Sequence, residues 1–215
     1  IIIDRYFMEQ QLSEIEQEKI NSELNFLRSQ VNPHFLFNVM NTIYFQIEKK
    51  NTDARMSVEK SSEMLRYQLY ECTTDKIQIQ RDLHYIQNYV AIQTLRMEKG
   101  SDIRLLIDEA MEDFLIAPLL ILPIVENAFK HVSNFKEPAK NKIHLVIKKQ
   151  DNNLLIEAIN TYDRAEGQKY LLQTGGLGIR NLQRRLELLY PGRHELNINK
   201  QEDTYHTLLK LQYND

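Results

Sequence analysis

The chain has 215 residues, 42% hydrophobic and 27% charged, with a formal net charge of −3. This is enough apolar material for one or two cored domains, and the near-neutral balance gives no ground for direct nucleic-acid binding. A single cysteine, Cys72, excludes a disulfide framework within the chain and fits a reducing cytoplasm. No apolar run reaches the ~18 residues of a membrane-spanning helix.

The opening IIIDRYF carries no methionine. It reads either as an arbitrary beginning or as the stub of an apolar segment upstream, such as a membrane helix. No glycine precedes Gly100, and Pro33 is the only proline before it, so the first hundred residues are predicted helical. Met8, Leu12 and Ile15, then Ile20, Leu24, Leu27 and Val31, form a heptad-like stripe with one phase break, as in a short coiled coil. Pro33 stands inside this run, where a proline costs roughly 3 kcal/mol and bends the helix by removing the donor to the Ser29 carbonyl. Phe35, Val39 and Ile43 continue the apolar face beyond it. Further helices are predicted over about 54–72 and 80–99, the second with Leu83, Ile86, Tyr89, Val90 and Leu95 inward.

The second half mixes strands and helices. Strands are predicted at 102–108, 142–149 and 153–160, and a closing hairpin at 194–200 and 204–212. A buried helix with a polar end covers 117–132, and a glycine turn feeds an amphipathic helix over 175–190. The fold class is α+β, with antiparallel neighbours.

Three stretches carry chemistry. In GGLGIRN, Gly176 and Gly178 open a helix whose N-terminus suits phosphate, although a glycine turn before a helix is more often only a turn. It is neither a Walker A loop nor a Rossmann fingerprint. In ENAFKH, Glu126 shares a helix face with Lys130, and Asn127 with His131. That is either an ion pair at the exposed end of a core helix or a magnesium–phosphate site, because magnesium takes oxygen ligands. In NPHFLFN, His34 is bracketed by Asn32 and Asn38. A lone histidine among apolar residues is usually a packed one.

In this order and spacing, with RRLELLYPG at 184–192, the three stretches resemble a sensor histidine kinase. The subgroup is the LytS/YehU type, with a Pro-His-Phe phosphoacceptor box, and the resemblance runs from about Arg28 to the end. It implies coiled-coil, dimerisation and histidine-phosphotransfer helices over 1–100, and a Bergerat (GHKL) ATP-binding α/β sandwich over 101–215. His34 matches the phosphoacceptor. Asn127 matches the magnesium-holding asparagine, with Glu126 beside it as a catalytic candidate. Lys130 and His131 match positions near the phosphates, Gly176 and Gly178 the lid hinge, and Asn181 the asparagine that opens the next helix. Residues 161–175 match a mobile ATP lid. The implied cofactors are ATP and Mg2+. The implied partners are a second copy in a homodimer and a response regulator, often one with a LytTR DNA-binding domain. The implied place is the cytoplasmic portion of an inner-membrane sensor, with the sensor or membrane segment upstream.

Two departures stand out. Phe35 follows His34 where many histidine kinases carry an acidic residue, so a base must come from elsewhere, Glu126 or an orienting Asn38. Asn160 takes the place of the adenine-reading aspartate, and the glycines that follow it in the family are absent. An aspartate restored at 160 is expected to tighten ATP modestly. The leading expectation is ATP-dependent phosphorylation of His34 with onward transfer to a response-regulator aspartate. The alternatives are an ATP-gated interaction module that signals without phosphotransfer, and a plain coiled-coil scaffold.

Overall fold

The computed structural model describes residues 33–72, 74–108, 111, 113–163 and 177–213. The chain divides into two compact units, Ile1–Glu48 and Lys49–Asp215. The described part of the first, residues 33–48, is helix α1, Pro33–Gln46, and the two residues after it. It buries no residue, and it exposes Phe35 (62%), Val39, Ile43 and Phe45. The heptad stripe expected upstream, and Ser29 with the expected kink, lie outside the described residues.

In the second unit α2 (Thr52–Arg66) starts on Asn51, whose side-chain oxygen accepts from the Ala54 N–H at 3.3 Å. Asp53 in its first turn and Arg66 in its last complement the helix dipole. A π-helical turn, Tyr67–Glu71, follows and carries Tyr67 into the core. Next come β1 (Ile77–Gln78) and α3 (Ile79–Arg96), then β2 (Asp102–Ile107), β3 (Leu115–Ile116) and α4 (Leu122–Lys130). The chain ends with β4 (Lys142–Gln150), β5 (Asn153–Thr161), α5 (Leu177–Leu189), β6 (His194–Lys200) and β7 (Thr204–Gln212).

Five strands form one sheet in the order β2-β4-β5-β7-β6. Only β2 against β4 is parallel; the other three pairings are antiparallel. β4 and β5 turn on Asp151, at φ 54°, a left-handed conformation that an aspartate tolerates better than most residues. Alternation sets the inner face: Ile143, Leu145 and Ile147 of β4, Leu154, Ile156 and Ala158 of β5, and Leu209 and Leu211 of β7 are all buried. They share one core with Ile79, Leu83 and Ile86 of α3, Ile124, Val125 and Ala128 of α4, and Leu182 and Leu186 of α5. Each such Leu, Ile or Val side chain contributes about 1.5–3 kcal/mol by leaving water. The opposite face carries polar pairs, His144 Nε2 to Asp102 Oδ2 at 2.9 Å and His206 Nε2 to Glu157 Oε1 at 2.8 Å.

This is the expected α+β architecture, helices followed by a domain in which helices pack on one face of a mixed sheet. Three particulars differ from the sequence reading. α2 and α3 pack in the same compact unit as the sheet, and the unit boundary falls at Glu48/Lys49. The helix predicted from residue 117 begins at Leu122, because residues 117–121 form a loop. Leu95 is exposed at 39%, while Leu83, Ile86 and Val90 of the same predicted stripe are buried.

Candidate functional site

The loop before α4 is held by side chains rather than by its own main chain. The Ala117 N–H donates to the Tyr190 hydroxyl at 2.8 Å, and the Leu119 N–H donates to Asp82 Oδ1 at 2.9 Å. Arg185 of α5 donates to the Pro118 carbonyl at 2.9 Å and the Leu119 carbonyl at 3.4 Å. Leu119 itself sits at φ 55°, a conformation that costs a non-glycine residue about 1–3 kcal/mol unless its surroundings hold it. Asp82 is fully buried; its Oδ1 also accepts from the Tyr67 hydroxyl at 2.6 Å, while Oδ2 has no hydrogen-bond partner within 3.5 Å among the described residues. Burial pushes this carboxyl above the usual carboxylate range, opposed by the bonds from Tyr67 and the backbone.

From this anchored start α4 buries Leu122, Ile124, Val125, Ala128 and Phe129. The same periodicity turns Glu126 and Lys130 to solvent and leaves Asn127 half-buried. Burial raises the Glu126 carboxyl above its ordinary value, and Lys130 pulls it back. His131 caps the helix, its N–H donating to the Asn127 carbonyl at 3.1 Å. Burial, then the charges of Lys130 and Lys200, holds the His131 imidazole below its ordinary value.

Asn160, 1% exposed near the end of β5, reaches this helix end. Its Nδ2 donates to the His131 carbonyl at 3.3 Å and the Thr161 carbonyl at 3.1 Å. Carbonyls only accept, so the amide protons face them, which fixes Oδ1 as the acceptor end of the side chain. The chain beyond α4 is tied down beside it: the Ser133 N–H donates to the Thr161 carbonyl at 2.7 Å, and the Ser133 hydroxyl to Asn141 Oδ1 at 2.9 Å. Tyr205 lies opposite Asn160 across β5–β7, and Lys200 lies opposite Tyr205. Burial raises the Tyr205 phenol, with the Asn127 side chain acting against the shift. Lys200 Nζ stands 5.4 Å from the Tyr205 ring centre.

Asn127, Lys130, His131 and Asn160 are therefore brought together. Tyr205 and Lys200 join them, and the sequence reading missed both. Their only signal was the hairpin pattern of 194–200 and 204–212, and cross-strand register is not written in one strand. Gly178 lies in the first turn of α5, with nothing within 4 Å of where a Cβ would stand. Asn181 is exposed on the same helix, whereas Gly176 and most of the expected lid lie outside the described residues. His34 is in the other unit, exposed on α1, with Asn38 Nδ2 3.2 Å from its Nδ1. A groove of about 300 Å³ lined by Glu63, Arg81, His84 and Asn88, among others, shares no residue with the cluster. Its polar groups bond one another, as Asn88 Nδ2 does to Glu63 Oε2 at 2.7 Å.

Among the described residues no three His, Cys, Asp or Glu side chains converge to hold a metal ion. An ion held here needs other oxygens, and Asn127 with nucleotide phosphates offers the hard, partly hydrated set that magnesium takes. The half-buried Asn127, with Lys130 and His131 a turn further on, fits that chemistry.

Residues 22–101 match the family model described as histidine kinase. The sensor protein LytS of Staphylococcus epidermidis is 31% identical over 196 residues, 85% of this chain and 32% of that protein. The sensor protein kinase HptS of Staphylococcus aureus is 28% identical over 184 residues, 82% of this chain and 35% of that one. The chain thus spans about a third of the length of these relatives. A solved histidine kinase domain, from the blue-light activated histidine kinase of Erythrobacter litoralis EL346, aligns with a TM-score of 0.48 at 14% identity, over 78% of this chain and 76% of that one. The chain belongs to the histidine kinase family, and its relatives include sensor kinases of the LytS type. Among the described residues no helix is long and apolar enough to cross a membrane.

Proposed function

We propose that this chain is the kinase core of a two-component sensor, which phosphorylates itself on His34 with ATP and passes the phosphoryl group to an aspartate of a response regulator. The observation that carries the reading is the meeting of Asn127, Lys130, His131 and Asn160 at one end of the sheet. An oxygen ligand, two nitrogen groups and a base-reading acceptor there come from one helix end and one strand. In this reading 101–215 binds the nucleotide, with Asn127 on the metal ion and Lys130 and His131 toward the phosphates. Asn160 faces adenine, and Glu126 serves as the catalytic carboxylate. Gly176, Gly178 and Asn181 border the lid. Residues 1–100 supply dimerisation and phosphotransfer, with α2 and α3 packed in the unit of the sheet. Bound ATP supplies the γ-phosphoryl group; the protein's own residues bind and orient it. The functional complex is a homodimer, its regulator carries a LytTR DNA-binding domain, and the whole protein is a membrane sensor.

The test is transfer of label from γ-labelled ATP to the protein. Label that is acid-labile and base-stable, and is lost in His34→Gln while ATP affinity stays within about twofold of wild type, supports the reading. ATP binding without label leaves the second reading, a nucleotide-gated interaction module. That reading is favoured by Asn160, a neutral acceptor where the family has a charged one.

A further inference from the structure

His34 stands on the exposed face of α1, one turn before Asn38, and the Asn38 carboxamide lies 3.2 Å from its Nδ1. A neutral imidazole has one N–H and one ring lone pair. Whichever nitrogen is hydrogen-bonded as acceptor leaves the proton on the other. In the arrangement seen, Asn38 Nδ2 donates to Nδ1, so the proton sits on Nε2. Neither nitrogen is then a free nucleophile: Nδ1 spends its lone pair on Asn38, and Nε2 has none in the plane of the ring. A half-turn of the carboxamide brings Oδ1 to the same point, since the two ends of an amide are nearly the same size. Oδ1 can only accept, so Nδ1 must then carry the proton and Nε2 presents its lone pair to solvent.

We propose that Asn38 is a positioning residue that selects the tautomer of His34, holding it unreactive with its amide nitrogen and arming Nε2 with its amide oxygen. This rests on the reading of His34 as phosphoacceptor. It supplies what the acidic neighbour, replaced here by Phe35, would otherwise provide. In the armed form the Nε2–phosphorus bond forms as the bond from phosphorus to the bridging oxygen breaks, and that electron pair leaves with ADP. The ring keeps its Nδ1 proton and gains positive charge, which the Asn38 oxygen faces. That proton afterwards passes to water, since the site is exposed. Asn38 turns without disturbing packing, because it is itself exposed and the Thr42 hydroxyl bonds its main-chain carbonyl, at 2.8 Å.

The test uses the full chain with 15N-labelled histidine at about pH 8, where an imidazole is neutral. Long-range 15N–1H correlations then report the tautomer of His34 without nucleotide. Asn38→Asp, an acceptor only, is expected to place the proton on Nδ1. Wild type is expected mainly in the Nε2–H form. In phosphorylation, Asn38→Asp is expected to label at least about tenfold faster than Asn38→Ala at an unchanged KM for ATP, with wild type between them. Equal labelling rates in Asn38→Asp and Asn38→Ala overturn the proposal. So does an Nε2–H ring in Asn38→Asp. A wild-type chain that takes no label refutes the kinase reading instead, and the tautomer shift still stands or falls by the spectrum.

Discussion

At Asn160, the two carbonyls that take its amide protons decide what the position tolerates. The family's aspartate invites the expectation that Asn160→Asp tightens ATP. The structure reverses that expectation, because a carboxylate would face the His131 and Thr161 carbonyls with no proton to give. Asn160→Asp is expected to destabilise the second unit by about 2–4 kcal/mol and to weaken ATP; urea titration and calorimetry check the two effects. His131, beside it, links the site to pH. Its folded-state value is held below 6.5 by burial first, then by Lys130 and Lys200. The unfolded chain therefore takes up the proton first as pH falls. The stabilising contribution is complete above pH 6.5 and is lost as pH drops through the lowered folded value. His131→Gln is expected to flatten this part of the profile, read as the difference in urea midpoint from wild type between about pH 7.5 and about pH 5.

Elements were legible where periodicity alone decides them. The Leu83, Ile86 and Val90 spacing marks the buried face of α3, and the alternation in β4, β5 and β7 marks the sheet. The start of α4 was not legible. An apolar run from residue 117 looks helical, yet the first five residues are bent by a left-handed Leu119 and held by Asp82, Arg185 and Tyr190, which lie 37, 66 and 73 residues away at their contacts. The π-helical turn escaped notice for a similar reason, since no local pattern marks the place where Tyr67 turns inward toward Asp82. The motif residues were legible in type and spacing, but the partners Tyr205 and Lys200 depend on register. At this scale, Tyr190→Phe removes the acceptor for the buried Ala117 N–H. The change is expected to cost about 1–3 kcal/mol and to loosen the start of α4. Thermal melting reads the first effect, and amide exchange across 117–127 the second.

For the whole molecule, the apolar face of α1 sets the oligomeric expectation. Phe35, Val39 and Ile43 recur every four residues and stay exposed at 62%, 38% and 40%. A second copy that buries such a stripe gains about 25 cal/mol per Å² of apolar area removed from water. The full chain is expected to sediment as a dimer, and Val39→Asp to shift it toward monomer with the fold of the second unit intact by circular dichroism. A monomer for wild type at high concentration rejects the self-association reading. The clasp around residues 117–119 also has a consequence in time. Its three anchors come from α3 and from the stretch 185–190, so no local encounter can complete it. Contacts of such long sequence separation close late, after the loop entropy between them has been overcome. The start of the Asn127 helix should therefore be among the last parts to set during refolding. Pulsed hydrogen exchange is expected to find the Leu119 amide gaining protection after the amides of the β4–β5 hairpin. Until it does, a chain with its sheet already formed still lacks the fixed helix start that positions Glu126 and Asn127.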